Sequence, residues 1–173
     1  MQQVPWFSRR FDFSYKQNIF PAILERLSGT PLCLRHKMAN LPTAVLTKRE
    51  DNAWSIQENL GHLIDLEPLW QGRLNDVLMQ HEYLRVADLS NAQTHEADYN
   101  TRDIGDLLHR FDELRQQTLQ SLSELQEEEI FLSALHPRLH QPMRIMDLFL
   151  FVAEHDDHHL ARMTYLIPNI EEE

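Results

Sequence analysis

An all-α fold is predicted from three observations. Glycine is scarce, at four of 173 residues (Gly29, Gly61, Gly72 and Gly105), which leaves little material for hairpin turns or a nucleotide-binding loop, while the leucine-rich balance favours helix. Apolar residues recur at three- and four-residue spacing through several long segments, as a buried helical stripe requires. Those segments start and stop at capping residues and prolines. Hydrophobic residues make up 42% and charged residues 25%, a globular composition at a length that fits one domain with its own core. Without an internal repeat or a low-complexity tract, residues 1–173 are expected to form a single domain.

The elements follow in chain order. A segment around Ile19–Leu27 stops at Ser28-Gly29. Thr30 then reads as a cap with Pro31 at the first helical position, where its missing N–H costs nothing. Leu34, Met38 and Leu41 line one side before Pro42 ends the run. Pro31–Leu41, or that segment continued from the earlier piece, is the first bundle helix. Residues 1–29 are then an N-terminal extension packing on the bundle.

The second helix has the clearest start. Ser55 and Glu58 form an S-x-x-E capping box directly after Trp54. Ile56, Leu60, Leu63, Leu66, Trp70, Leu74 and Val77 keep the helical period to about Met79, with a kink expected at Pro68. His62 lies on or beside this apolar face. His81 to Asn100 is polar and aperiodic and reads as a long connection, of the kind that crosses over a bundle or carries function. Ile104, Leu107, Leu108, Phe111, Leu114, Thr118, Leu122 and Leu125 stripe a third helix from about Arg102 to Leu125. The Glu127–Glu129 run reads as a solvated helix end. Pro137 and Pro142 enclose an irregular stretch, and the last helix runs from near Met146 to Leu166, ending before Pro168.

The charge excludes some functions. Sixteen basic against 27 acidic residues give a formal charge of −11, which repels nucleic acid and anionic membranes. No apolar export segment is visible at the N-terminus. The most apolar stretch, Ile145–Ala153, is interrupted by Asp147 and is too short to span a bilayer. A soluble, cytoplasmic protein is expected, and the single Cys33 is expected to be a small buried apolar residue.

The residues that carry chemistry are histidines. His155 and His159 are spaced i, i+4, which stacks two imidazoles on one helical face. They interrupt a strongly apolar helix, so each needs a polar partner. A metal ion would satisfy them, and so would a buried hydrogen-bond network. A third imidazole from a facing helix, such as His62, would complete a site with an open coordination position. His136 and His140 share the spacing, but Pro137 and Pro142 prevent one helix from aligning them. His158 points about a hundred degrees away from its neighbours and is expected to face outward or to support the site. No H-E-x-x-H, G-x-S-x-G, Walker or Rossmann motif occurs.

Two stretches together resemble a known family. Trp54-Ser55-Ile56-Gln57-Glu58-Asn59-Leu60-Gly61-His62-Leu63 is similar to the opening of the second helix in the DinB/YfiT-like superfamily. Glu154-His155-Asp156-Asp157-His158-His159-Leu160-Ala161-Arg162 resembles that family's H-x-x-x-H helix. The likeness extends over most of the chain in helix order and in the placement of the long connection. It implies a four-helix bundle with a long crossover between helices 2 and 3. It also implies a divalent metal, zinc or nickel, held by His62, His155 and His159. Members are thiol-dependent transferases or isomerases, or hydrolases, so a low-molecular-weight thiol cosubstrate is a further expectation.

The leading expectation is thus a metal-dependent transferase or hydrolase acting on a small molecule, with no further catalytic residue assigned. A non-catalytic metal-binding or stress-response module, and a bundle whose histidines are only hydrogen-bonded, are the alternatives. An accessible cavity above the metal would favour the enzyme. Glu58 and Glu154 are candidates to support the histidines, although capping is the plainer role for Glu58. Asp65, Glu67, Asp98 and Tyr99 are expected at a solvated face or against the crossover. Trp54 and Trp70 read as packing residues, Met38, Met146 and Met163 as core. Arg162 reads as a surface salt-bridge residue unless an anionic substrate meets it. An apolar helix face leaves room for a homodimer.

Overall fold

Four long helices make up the bundle in a computed structural model that describes residues 3–50 and 53–167. Helix α1 spans Phe20–Met38, and a short α2 (Thr43–Leu46) leads into α3 (Ile56–Leu78). The crossover then carries α4 (Ala92–Glu96) and a 3-10 turn at Tyr99–Thr101. Helix α5 runs from Ile104 to Ser123, and α6 from Ile145 to Leu166. Strands β1 (Ser133–Leu135) and β2 (Pro142–Arg144) form an antiparallel hairpin between them. Helices α1 and α3 each pack against both α5 and α6. The two helices earlier in the chain therefore sit on one diagonal of the bundle and the two later ones on the other.

The helix ends follow their local chemistry. Ser55 caps α3 with the reciprocal Glu58 bonds of a capping box. Asp103 accepts the Asp106 N–H at 3.1 Å to start α5, and Asp147 accepts the Arg144 N–H at 3.0 Å to start α6. Of the two expected forms of the first helix, the one continued from the earlier piece is formed, and Thr30 does not cap it. It runs unbroken from Phe20, whose N–H is taken by Asn18 Oδ1 at 3.0 Å, and Pro31 lies inside it. Pro31 has no N–H for the Leu27 carbonyl one turn back. Arg115 Nη1 of α5 fills that vacancy at 3.2 Å. The hairpin, too, departs from the irregular stretch expected around Pro137 and Pro142. It is three residues a strand, too short for a period-two pattern to register, yet it buries Ala134 and Met143 in the core. Cys33 is exposed on α1, contrary to expectation.

The apolar core comes in two parts. One gathers Phe20, Ile23, Leu27, Trp70, Leu74, Phe149 and Val152 with the hairpin; the other gathers Leu34, Met38, Ile56, Leu60, Phe111 and Met163. Each long helix passes from one part to the other through buried polar residues: Thr30, Glu67, Arg115 with Thr118, and Asp156. Arg115 Nη2 meets Glu67 Oε1 at 2.6 Å, and its Nη1 meets Asp156 Oδ2 at 2.6 Å. Thr118 and Thr30 donate to the same two carboxylates, at 2.6 and 3.0 Å. Burial alone would lower the Arg115 pKa, but Asp156 and Glu67 hold it above its ordinary value. This layer crosses the bundle at the level of His155, one residue before Asp156.

Candidate metal centre

Three imidazoles converge beside that layer. Helix α3 supplies His62, and α6 supplies His155 and His159 one turn apart. All three are buried, and one ligand atom from each lies within 4.8 Å of the others. The Nε2 atoms of His155 and His159 are 3.2 Å apart. Two nitrogens bound to one tetrahedral ion at bond lengths of about 2.0–2.1 Å stand about 3.3 Å apart, so the α6 pair has the spacing of shared ligands.

Hydrogen-bond partners determine which nitrogens are bare. Asn59 donates its amide N–H groups to the Trp54 and Ser55 carbonyls, at 3.2 and 2.7 Å. Its Oδ1 therefore faces His159 Nδ1, 2.8 Å away, and accepts from it. Thr94 gives its hydroxyl proton to Asp65 at 2.7 Å, so its oxygen accepts from His62 Nδ1 at 3.3 Å. Both imidazoles thus carry the proton on Nδ1 and keep a lone pair on Nε2. Among the described residues, His155 Nδ1 has no hydrogen-bond partner. Burial pushes the His62 pKa down to about 4, with His95 adding to the shift. Burial, then the neighbouring imidazoles, hold His155 and His159 well below the usual histidine range. Neutral imidazoles that have only one another as partners on their converging Nε2 side suit a cation. The donor set fits a divalent ion.

The triad opens into a cavity of about 530 Å³, within the range of small-molecule sites. Trp54 packs on His62 with ring centres 4.6 Å apart. Trp6 and Trp70 pack on His155 at 4.9 and 5.9 Å. Trp54 and Trp70, expected as packing residues, are walls of the cavity. Trp6 brings the N-terminal segment over the site, where Gln3 bonds His158 Nδ1 at 2.9 Å and Arg9 pairs with Glu154. His158 is half-buried and bounds the cavity beside the triad.

The remaining sequence-predicted residues separate cleanly. Glu58 caps α3 and pairs with Arg49, and Glu154 pairs with Arg9 and Arg26, so neither touches the imidazoles. Asp65 binds the crossover through Gln93, Thr94 and Tyr99, and so reaches His62 through the Thr94 hydroxyl. Glu67 belongs to the Arg115 layer, where burial pushes its carboxyl up despite the guanidinium. His136 lies at the far side of the cavity, hydrogen-bonded to Arg73, and His140 is exposed in the hairpin loop. Arg162 lines the cavity with its guanidinium over Tyr165, and among the described residues it forms no salt bridge. Asn59 and Thr94 are the residues that sequence reasoning missed. Asn59 sits one turn before His62 on the same face, which is a usable signal; Thr94 arrives from the aperiodic crossover and gives none.

Known proteins resemble this arrangement. A sequence model of the DinB superfamily matches residues 29–163. YfiT from Bacillus subtilis, described as a probable metal-dependent hydrolase with an unusual four-helix bundle topology, superposes with a TM-score of 0.78 at 21% identity, over 91% of each chain. A Streptococcus pneumoniae protein of known crystal structure superposes with a TM-score of 0.59 at 14% identity, over 84% of this chain and 90% of its own. No curated protein matches the sequence significantly. No helix among the described residues is long and apolar enough to cross a membrane.

Proposed function

The chain belongs to the DinB superfamily, and from that premise we propose that it is a divalent-metal-dependent enzyme acting on a small molecule, with His62, His155 and His159 as the ligands. One observation carries the reading: three buried neutral imidazoles, two with their lone pairs fixed inward by Asn59 and Thr94, open into a substrate-sized cavity. An all-imidazole set suits zinc or nickel. When bound, the ion would supply Lewis acidity at a position left open by three protein ligands.

The chain's own residues do the rest. Asn59 orients His159, and Thr94, itself held by Asp65, orients His62. Trp6, Trp54 and Trp70 exclude water from the flanks of the triad. Hydrolysis is the leading reaction, supported by the likeness to YfiT. Transfer to a low-molecular-weight thiol is the second reading. It is favoured by the lining, whose one carboxylate among the described residues, Asp88, is taken up by Ser90 and Ala92, so that activating a water would fall to an imidazole such as His158. A thiol, being far more acidic than water, needs less help. A metal-binding module without turnover would not need a cavity of this size.

Metal content of untagged protein, measured by mass spectrometry, tests the reading. Near one equivalent of metal in wild type, lost in both His62→Ala and His155→Ala, is expected. Parallel assays with activated esters and with thiols plus an electrophile then separate the two reactions. Wild-type protein that stays empty after incubation with zinc, nickel and manganese would sink the assignment.

A further inference from the structure

The floor of the cavity is one face of α3. His62, Leu66, Leu69, Trp70 and Arg73 all line it, at offsets of four, seven, eight and eleven residues, the spacing of a single helical stripe. His62 stands at one end and Arg73 at the other, three turns away, or about 16 Å along the axis. Between them the wall is apolar and aromatic.

Arg73 is an unusual residue for such a place. It is only 2% exposed, yet among the described residues it joins no ion pair. Its Nε donates to the Arg85 carbonyl at 3.1 Å and its Nη1 meets His136 Nε2 at 3.3 Å. Asp76, the carboxylate nearest in charge, is taken by Arg85 through bonds of 2.7 and 3.0 Å. His136 offers no charge, because burial, reinforced by Arg73 and Arg138, holds its pKa down to about 4. Burial also brings Arg73 itself down to about 10; Asp76 opposes this and Arg138 and Arg85 add to it. Among the described residues, only the distant Asp76 charge and the Trp70 ring, whose centre is 5.4 Å from Arg73 Cζ, offset its charge. A buried charge with no ion-pair partner is costly, and two bonds to neutral partners do not require one. A glutamine or a methionine would fill a purely structural post at lower cost.

Positive charge prevails in the rest of the lining. Arg138 and Arg162 also line the cavity, against one carboxylate among the described residues, Asp88, that is bonded to Ser90 and Ala92, in a chain whose net charge is −11. We infer that the cavity takes an elongated substrate with an apolar or aromatic body and an anionic terminus, carboxylate or phosphate, that pairs with Arg73 while the reacting end lies at the triad. This assignment rests on the cavity being the substrate site proposed above. A guanidinium gives two parallel donors to either anion, and the trip of three turns sets the length of the molecule.

All three tryptophans of the chain, Trp6, Trp54 and Trp70, line the cavity, so intrinsic fluorescence reports its occupancy directly. Metal-free protein is titrated with phenylbutyrate, with its neutral amide phenylbutyramide, and with phenylbutyl phosphate. The expected result is saturable quenching, with at least one of the two anions binding roughly tenfold or more tightly than the amide, as a charge-assisted bond implies. The stronger of the two anions identifies the terminus. Arg73→Met should bind acid, phosphate and amide alike, and should melt no lower than wild type, because it removes an unpaired buried charge. Arg73→Lys, which keeps the charge without the fork, should retain a reduced preference and guards against a misfolded Met variant. Equal binding of anions and amide by wild type, no saturable binding of any probe, or an anion preference that survives in Arg73→Met would each overturn the assignment. The titration repeated on His155→Ala keeps the two readings apart. An anion preference that persists in His155→Ala shows that Arg73 acts apart from the triad; if wild type takes up no metal while that preference holds, the metal reading falls and Arg73 keeps its role.

Discussion

Asn59 decides which nitrogen of His159 is bare. Its amide group is committed to the Trp54 and Ser55 carbonyls, so its oxygen has to accept from His159 Nδ1 at 2.8 Å. Partners of this kind, one bond removed from a metal, typically change affinity by about 10- to 100-fold when lost. Asn59→Leu should weaken zinc binding by that factor, measured by competition with a chelator of known affinity. An unchanged affinity would mean that α6 alone orients the ring.

Gly61 faces the ring of Tyr99, and a Cβ placed there would come within 2.2 Å of it. The ring has little freedom to retreat, since the Tyr99 hydroxyl donates to Asp65 at 2.6 Å. Alanine gains about 1 kcal/mol over glycine in a helix interior, but forcing bulk into a packed site costs about 1–3 kcal/mol. The clash should win. Gly61→Ala is expected to lower stability in a denaturant titration, whereas Gly61→Ala combined with Tyr99→Leu should recover most of the loss. Equal or greater stability of the single variant would show that the crossover yields easily.

The sequence made the long helices and the three histidines legible because both depend on local spacing. Ser55 and Glu58 mark the start of α3 unambiguously, and the i, i+4 pair on α6 is a property of one helix. Other features required the partner helix. Pro31 looked like a helix start because a proline there is ordinarily at the first turn; it sits mid-helix because Arg115, 84 positions away, takes the carbonyl it leaves free. Glu67 reads as a residue of a solvated face or of the crossover, and only the placement of Arg115 between it and Asp156 shows that both carboxylates are buried. Trp54 and Trp70 have the periodicity of core residues, and only the gap between α3, α6 and the N-terminal segment turns them into cavity walls. The hairpin was too short to be seen at all.

Arg115 should be the most sensitive position in the core. Removing it leaves the Glu67 and Asp156 carboxylates buried at under 2% exposure without a cation, a change that costs about 3–5 kcal/mol. Arg115→Met is expected to show that loss in urea unfolding. Converting the whole group, Arg115→Met with Glu67→Gln and Asp156→Asn, should recover a large part of it, because the penalty comes from the stranded charges. A triple variant no more stable than the single one would assign the loss to the Leu27 carbonyl and to packing instead.

Acid should destabilise the metal-free protein over a window set by its buried histidines. The His62 and His136 pKa values are both brought down to about 4, in each case first by burial. In the unfolded chain the same imidazoles titrate near 6.5. Between those values the unfolded state binds more protons, so stability falls as pH falls. Their contribution is complete above about pH 6.5 and is lost on the way to pH 4. For His62 the full shift corresponds to about 3 kcal/mol, or a fall in melting temperature on the order of 10 °C for a chain of this size. Glu67, whose carboxyl burial pushes up, acts in the opposite sense and blunts the fall. Melting temperatures of chelator-treated protein from pH 7 to pH 4 check the prediction, and His136→Gln should flatten the profile without touching the triad. A wild-type profile that is flat over this window would mean that the imidazoles are solvated in the absence of metal, and that the closed triad forms only around the ion.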